Sequence, residues 1–306
     1  MRAKTLQNLL SFLQKNGFQT ACFSDFKSCF DIAARREDLN LLVKVLENID
    51  SLRPESAKEM QKLANVLNAV SLIVGEKSKA FKLKKGVIFE RHSIPTVSFE
   101  TFKDLFSGEI PEINYFKGRE TVALDSEKLK SLRSGLNLSA QGLAERIGSS
   151  AESIYRFEQG SNASLELAKR LEEELGERLI LQSNPLHSMR QRPEGVEKVE
   201  DSALKQLNSL GLKIAVFNHA PFKAFSKNLP ENEEPLIINK GASKVEIERK
   251  ALVLERTKAV FDSHSMIIAK EFKLECIQHT PVVLEKELEE LHKKKELLKL
   301  LKEREN

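Results

Sequence analysis

The chain has 306 residues, 41% hydrophobic and 31% charged, with a formal net charge of +4. That size suits two or three domains, and that balance suits a globular protein with a charge-rich surface rather than a disordered or fibrous chain. No apolar run reaches the roughly 20 residues a membrane helix needs. The opening stretch, MRAKTLQNLLSFLQKNGF, lacks the apolar block of a signal peptide. Three cysteines (Cys22, Cys29, Cys276) at no metal-ligand spacing speak against a zinc site or a disulfide framework and point to a reducing cytoplasm.

In chain order, Leu6, Leu9, Leu10 and Leu13 predict an amphipathic first helix that ends near Asn16-Gly17. FQTACF, CFDIAARR and LNLLVKVLEN read as three strands. A helix follows over about 54–68, with Pro54 near its start and Met60, Leu63, Val66 and Leu67 on one face. VSLIVGEK and GVIFERHSIPTVSF read as two more strands and FETFKDLF as a helix, so residues 1–120 have the order αβββαββα. Residues 121–185 read as helical throughout, with Leu124, Leu129 and Leu132 opening one helix, Leu143, Ala144 and Ile147 marking a second and Leu165, Leu167, Ala168 and Leu171 a later one. Residues 186–200 read as a polar linker.

Residues 201–306 repeat the first block. LGLKIAVFNHAPFKAFSK answers to NGFQTACFSDFKSCFDIAAR: a helix-ending glycine (Gly17, Gly211), a strand, a loop, then a strand led by Phe30 or Phe222. LECIQHTPVVLEKELEEL answers in the same way to GVIFERHSIPTVSFETFKDL. The expected architecture is therefore an α+β / α/β multidomain chain in which an all-helical module (121–185) stands between two related α/β units (1–120 and 201–306). The tail, ELEELHKKKELLKLLKEREN, predicts one charged surface helix.

The stretch SAQGLAERIGSSAESIYRFEQG carries the sharpest motif. On these residues, about 125–180 resemble a Cro/cI-type helix-turn-helix domain, with the motif itself at about 140–159. The resemblance implies that Ala144 stands where two helices cross closely, that Gly148 sits in a turn needing positive φ, that Leu143, Ile147, Ile154 and Phe157 point inward, and that Ser139 and Ser150 are helix N-caps. In that family an Arg on the first helix pairs with a Glu closing the recognition helix, and the resemblance assigns these roles to Arg133 and Glu158. It also implies a DNA-contacting set of Gln141, Ser149, Ser150, Ala151, Glu152, Ser153, Tyr155, Arg156 and Asn162, with Tyr155 and Arg156 the strongest readers. Ala151 suits a thymine methyl and Glu152 a cytosine N4. Lys128, Lys130 and Arg146 offer further charge. Two departures stand out. Ala140 replaces the family's frequent Gln, with Gln141 one place later. The module also carries 8 Lys+Arg against 10 Asp+Glu, a net −2, where duplex binders are usually basic.

The flanking units resemble the restriction-endonuclease-like fold. That resemblance implies a metal-binding Asp and an acidic-x-Lys pair. Asp31 and Lys44 match the outer positions, but Leu42 stands at the second carboxylate; in the repeat, Lys223, Ile237 and Asn239 stand at the three places. Both units are expected to be degenerate, with Asp31 and Lys44 vestigial, no catalytic residue, no metal and no cofactor. SCFDIAARRED and VKVLENIDSL extend the likeness to the archaeal family of helix-turn-helix transcriptional regulators. That resemblance implies sequence-specific binding of double-stranded DNA. A homodimer, and contact with the transcription machinery, are further expectations. The alternatives are a DNA-processing factor built on the nuclease-like units, or a protein-interaction adaptor.

Overall fold

The computed structural model describes residues 2–116, 118–187, 199–226 and 235–305. They form two compact units: Met1–Val45 with Leu52–Ser71 and Met189–Asn306, and Leu46–Ser51 with Leu72–Ser188. The first α/β copy runs α1 (Arg2–Lys15), β1 (Gln19–Cys22), β2 (Ile32–Arg36), β3 (Leu39–Asn48), a 3-10 turn (Ile49–Ser51), α2 (Pro54–Val66), β4 (Ala69–Lys77), β5 (Val87–Arg91), β6 (Ile94–Val97) and α3 (Phe99–Ser107). Strands β3 and β4 pass from one unit into the other. Gly17, at φ 79°, ends the first helix. Pro54 opens α2, where its missing N–H has no partner to lose. Ile32, Ala33, Ala34, Leu41, Leu42 and Val43 are all fully buried, as strands covered on both faces require.

The single strand expected over GVIFERHSIPTVSF is a hairpin. His92 and Ser93 sit at φ 49° and 61°, so the chain reverses between β5 and β6 through two left-handed residues. The order is thus αβββαβββα. Strands β1, β2 and β3 pair antiparallel, β4 pairs parallel with β6, and β6 pairs antiparallel with β5.

Residues 121–185 are not helical throughout. A second hairpin, β7 (Ile113–Phe116) and β8 (Arg119–Leu124), leads into α4 (Ser126–Gly135), α5 (Ala140–Ile147), α6 (Ala151–Glu158), β9 (Ala163–Ser164), α7 (Leu165–Leu175) and β10 (Ile180–Leu181). Leu124 therefore lies in a strand and not in the first helix. Both β9 and β10 pair with β8, and β7 pairs parallel with β5. The helical module is fastened to the sheet through β8. Its core holds Leu129, Leu143, Ala144, Ile147, Ile154, Phe157, Ala168 and Leu171, together with Val122 from β8. The expected linker, 186–200, falls mainly on 188–198, outside the described residues.

The second copy runs α8 (Ser202–Ser209), β11 (Ile214–Val216), β12 (Ala224–Ser226), β13 (Leu236–Gly241), α9 (Lys244–Lys258), β14 (His264–Ala269), β15 (Cys276–Ile277), β16 (Thr280–Leu284), α10 (Glu285–Glu290) and α11 (Lys294–Glu305). Its sheet order is β11-β12-β13-β14-β16-β15, and its pair directions repeat those of the first copy. Gly211 (φ 92°) repeats Gly17, and Gln278 and His279 (φ 48° and 56°) repeat His92 and Ser93. The ring pair Phe23–Phe30 (5.1 Å, edge-on) recurs as Phe217–Phe222 (5.8 Å, edge-on). The tail differs from the single surface helix expected: it breaks into α10 and α11, and Leu297 and Leu301 are fully buried.

Within the first unit the C-terminal copy packs on the elements α1 to α2, and the contacts are reciprocal. Lys62 on α2 donates to the carbonyl of Val216 and lies over the Phe217 ring. Arg256 on α9 donates to the carbonyl of Cys22, the residue matching Val216, and lies over the Phe26 ring. Glu59 accepts the backbone N–H groups of Asn218 and His219, and the Cys29 N–H donates to the His219 carbonyl (2.6 Å). The backbone contacts of Lys62 and Arg256 thus repeat from one copy to the other, whereas the rings they lie over, Phe217 and Phe26, are not matching residues.

Candidate nucleic-acid interface

Each helix of the motif starts and stops for a local reason. The side chains of Asp125, Ser139, Ser150 and Ser164 accept the N–H three residues on, at Lys128, Gly142, Ser153 and Leu167, capping α4, α5, α6 and α7. Gly148 ends α5 at φ 69°, ψ 45°. A Cβ there would stand 3.3 Å from a guanidinium nitrogen of Arg170, so both conformation and space favour glycine. Ala144 is fully buried, as the helix crossing demands.

Arg133 and Glu158 fix α4 against the end of α6. The Nε of Arg133 donates to Oε1 (2.6 Å) and Nη2 to Oε2 (3.2 Å), while Nη1 donates to the Leu138 carbonyl (2.8 Å). The two side chains are only 14% and 7% exposed. The hydrogen bond that Arg133 donates to Glu158 raises the Arg133 pKa further, so the guanidinium stays charged at every relevant pH. A forked pair of this kind sets orientation as well as energy.

The outer face of α6 is open. Tyr155 is 56% exposed, and Glu152, Arg156 and Asn162 are also exposed. Ala151 and Ser153 are half-buried, and the Ser150 and Ser153 hydroxyls bond each other (3.0 Å) at the helix start. Ser149 is half-buried beside them. Ala140 packs into the core, while Gln141 turns outward and donates to Glu145 of its own helix (2.7 Å). Charge is scarce here: Lys128, Arg133, Arg146, Arg170 and Arg178 are all engaged in ion pairs within the module or with Glu112.

The structure also brings Asp31 and Lys44 together, and it adds a residue that sequence reasoning missed. Asp31 is 2% exposed. Its Oδ1 accepts from Lys44 Nζ (3.1 Å) and from an Arg2 guanidinium nitrogen (2.7 Å), and its Oδ2 accepts the Val45 N–H (2.7 Å). Leu42, at the second carboxylate position, is fully buried. A divalent cation needs several oxygen ligands, and here the one carboxylate is already held by two cations and an N–H. These residues do not fit a metal. Arg2 belongs to no motif; only the folded position of α1 reveals it.

A PD-(D/E)XK superfamily domain model matches residues 2–111, and a helix-turn-helix model matches residues 129–181. Archaeal relatives align over nearly the full length. One from Archaeoglobus fulgidus is 32% identical over 99% of both chains. One from Methanothermobacter thermautotrophicus is 34% identical over 99% of this chain and 97% of its own. A third, from Pyrococcus horikoshii, is 33% identical over 95% and 94%. All three carry the provisional name HTH-type transcriptional regulatory protein. No solved structure matches. A nuclease-fold domain joined to a Cro/cI-type helix-turn-helix defines the class. Within it, the chain belongs to the archaeal family of HTH-type transcriptional regulatory proteins.

Proposed function

We propose that this chain regulates transcription by binding double-stranded DNA in a sequence-specific manner through α6. In this reading the module at about 121–185 is set between α/β copies at 1–120 and 201–306. The carrying observation is the Arg133–Glu158 fork: it locks α6 while leaving Tyr155 and Arg156 exposed on its outer face. Arg156 contacts a guanine or a phosphate, Tyr155 lies against the groove, and Ala151 and Glu152 read base edges at the helix start. Gln141, Ser149, Ser150, Ser153 and Asn162 line the phosphate side. Few cations are free to meet phosphates, so one module binds weakly and a homodimer supplies useful affinity. The protein works in the cytoplasm, where its duplex lies. No helix among the described residues is long and apolar enough to cross a membrane.

The nuclease-like copies are scaffold and not enzyme, because Arg2 and Lys44 hold the one carboxylate that a metal would need. Mg²⁺-dependent cleavage of plasmid DNA by the intact protein, abolished in Lys44→Ala, would overturn that part. A gel shift on genomic fragments tests the rest. Arg156→Ala should weaken binding to the preferred fragment by about tenfold or more, as expected for one base contact. A second reading, a module that docks on the transcription machinery, is favoured by Glu152 and by the net −2. Equal binding of DNA by the wild type and Arg156→Ala would favour it.

A further inference from the structure

Helix α9 buries Ile247, Ala251 and Leu254 completely. Helix residues three, four and seven apart share a face, so Val245, Glu248, Arg249 and Leu252 form one stripe on the opposite side. Val245 is 75% exposed and Leu252 is 45% exposed. Between them the Glu248 side chain is half open to solvent, with Lys244 of its own helix only at 3.9 Å. Arg249 is exposed and lies over the Phe26 ring (5.3 Å).

The matching helix of the first copy has no such stripe. With Arg256 set against Lys62, Ala251 and Leu254 fall on Ala57 and Met60, which are likewise fully buried. On the outer face, Leu252 then falls on Lys58 and Arg249 on Glu55, both exposed. One copy shows water a charged surface there, and the other shows two apolar side chains a turn either side of an acid and a base. Single exposed apolar residues are ordinary; this order is not. It reads apolar, charged, charged, apolar from either end, with the charges opposite in sign. Two such helices packed antiparallel about a two-fold axis bring Val245 of one molecule against Leu252 of the other, and Glu248 against Arg249, each contact occurring twice. Opposite charges meet and the helix dipoles oppose one another. A parallel pair would set like charges together.

We propose that the outer face of α9 is the surface through which two molecules of this chain associate, helix against helix and antiparallel. The proposal deepens the reading of a homodimer on DNA and rests on it. Four side chains from each molecule make a small interface beside the roughly 20–30 residues a side of a stable one, so the dimer is weak and its population rises with concentration.

The test is sedimentation velocity of the full-length protein, without DNA, over a concentration series. The wild type should shift from monomer toward dimer as concentration rises. Leu252→Lys, which gives α9 the residue that α2 carries, should raise the dimer dissociation constant by about tenfold or more. Glu248→Arg and Arg249→Glu should each weaken the dimer by about threefold or more, because like charges then meet, and the two together should restore it to within about twofold of the wild type. A wild type that stays monomeric overturns the proposal, as does a dimer that Leu252→Lys leaves unchanged. Single reversals that the double reversal does not rescue overturn the antiparallel pairing. The gel shift with Arg156→Ala separates this from the reading of α6. If the dimer responds as described while Arg156→Ala binds DNA like the wild type, the interface stands and the reading of α6 fails. If Arg156→Ala loses its preference while Leu252→Lys still dimerises, the interface fails and the reading of α6 survives. Circular dichroism of each variant confirms the fold.

Discussion

Asp31 and Lys223 occupy the same place in two copies of one fold. In both copies the preceding phenylalanine pairs edge-on with a ring one strand back, and the residue's own N–H donates across the sheet, to Val43 in one and to Ile238 in the other (2.8 and 3.0 Å). The surroundings then diverge. Asp31 is buried and held by Arg2, Lys44 and the Val45 N–H. Lys223 is half-buried and donates to Asn218 (3.2 Å). The apolar lattice and the turns persisted while the polar centre changed sign. What the copies share is therefore the apolar lattice and the turns; what they do not share is the polar centre around Asp31 and Lys223.

That comparison can be broken at several points. The largest effects should fall on the shared lattice. Phe23→Ala and Phe217→Ala each remove a side chain with at most 1% exposure and should each cost about 3–5 kcal/mol in denaturant unfolding. A cost below about 1 kcal/mol for only one of them would show that the copies are not equally packed. Next comes the polar centre. Asp31→Ala strands Lys44 and the Val45 N–H and should cost about 2–3 kcal/mol, whereas Lys223→Ala should stay within about 0.5 kcal/mol. Similar costs for the two would mean that the sign change is incidental. Lys62→Ala and Arg256→Ala, at the reciprocal contacts, should each cost about 1 kcal/mol, and unequal values would show that the two backbone contacts are not equivalent.

The smallest effect separates the helices that follow each turn. Ser98 caps α3 with a hydroxyl, while the N–H of Leu284, at the start of α10, donates to the Glu287 carboxylate (2.8 Å). The hydrogen bond from Arg304 holds the Glu287 pKa below its usual value. A depressed carboxylate stabilises the fold above its unfolded pKa of about 4.3 and loses that contribution as pH falls toward the folded value. Acid titration should therefore weaken the second copy in that window, and Glu287→Gln should flatten the loss.

Much of this was legible in the sequence because it was written in local signals. The third strand's expected bounds coincide with β3, Leu39–Asn48, because polar residues bracket an apolar run. Gly17 and Gly211 marked the same helix end twice, and Ala144, Gly148, Arg133 and Glu158 gave the helix-turn-helix. The misses share a cause: they depend on partners remote in the chain or on turns without their usual residues. His92 and Ser93 adopt left-handed conformations without Gly or Asn, so the β5–β6 hairpin looked like one strand. Leu124 falls in line with the apolar residues of α4, and only its pairing with Ile180 makes it a strand residue. At two residues each, β9 and β10 are too short to show a period. Arg2 and the Lys62 and Arg256 contacts exist only once distant segments meet.

The central claim is that α6 reads DNA while the paired α/β copies serve as scaffold. Amide hydrogen exchange of the full-length protein, with and without its best-binding duplex, tests it most directly. The account predicts added protection at residues 149–164 and none at 28–45. Protection of the segment around Asp31 and Lys44, with residues 149–164 unchanged, would contradict it.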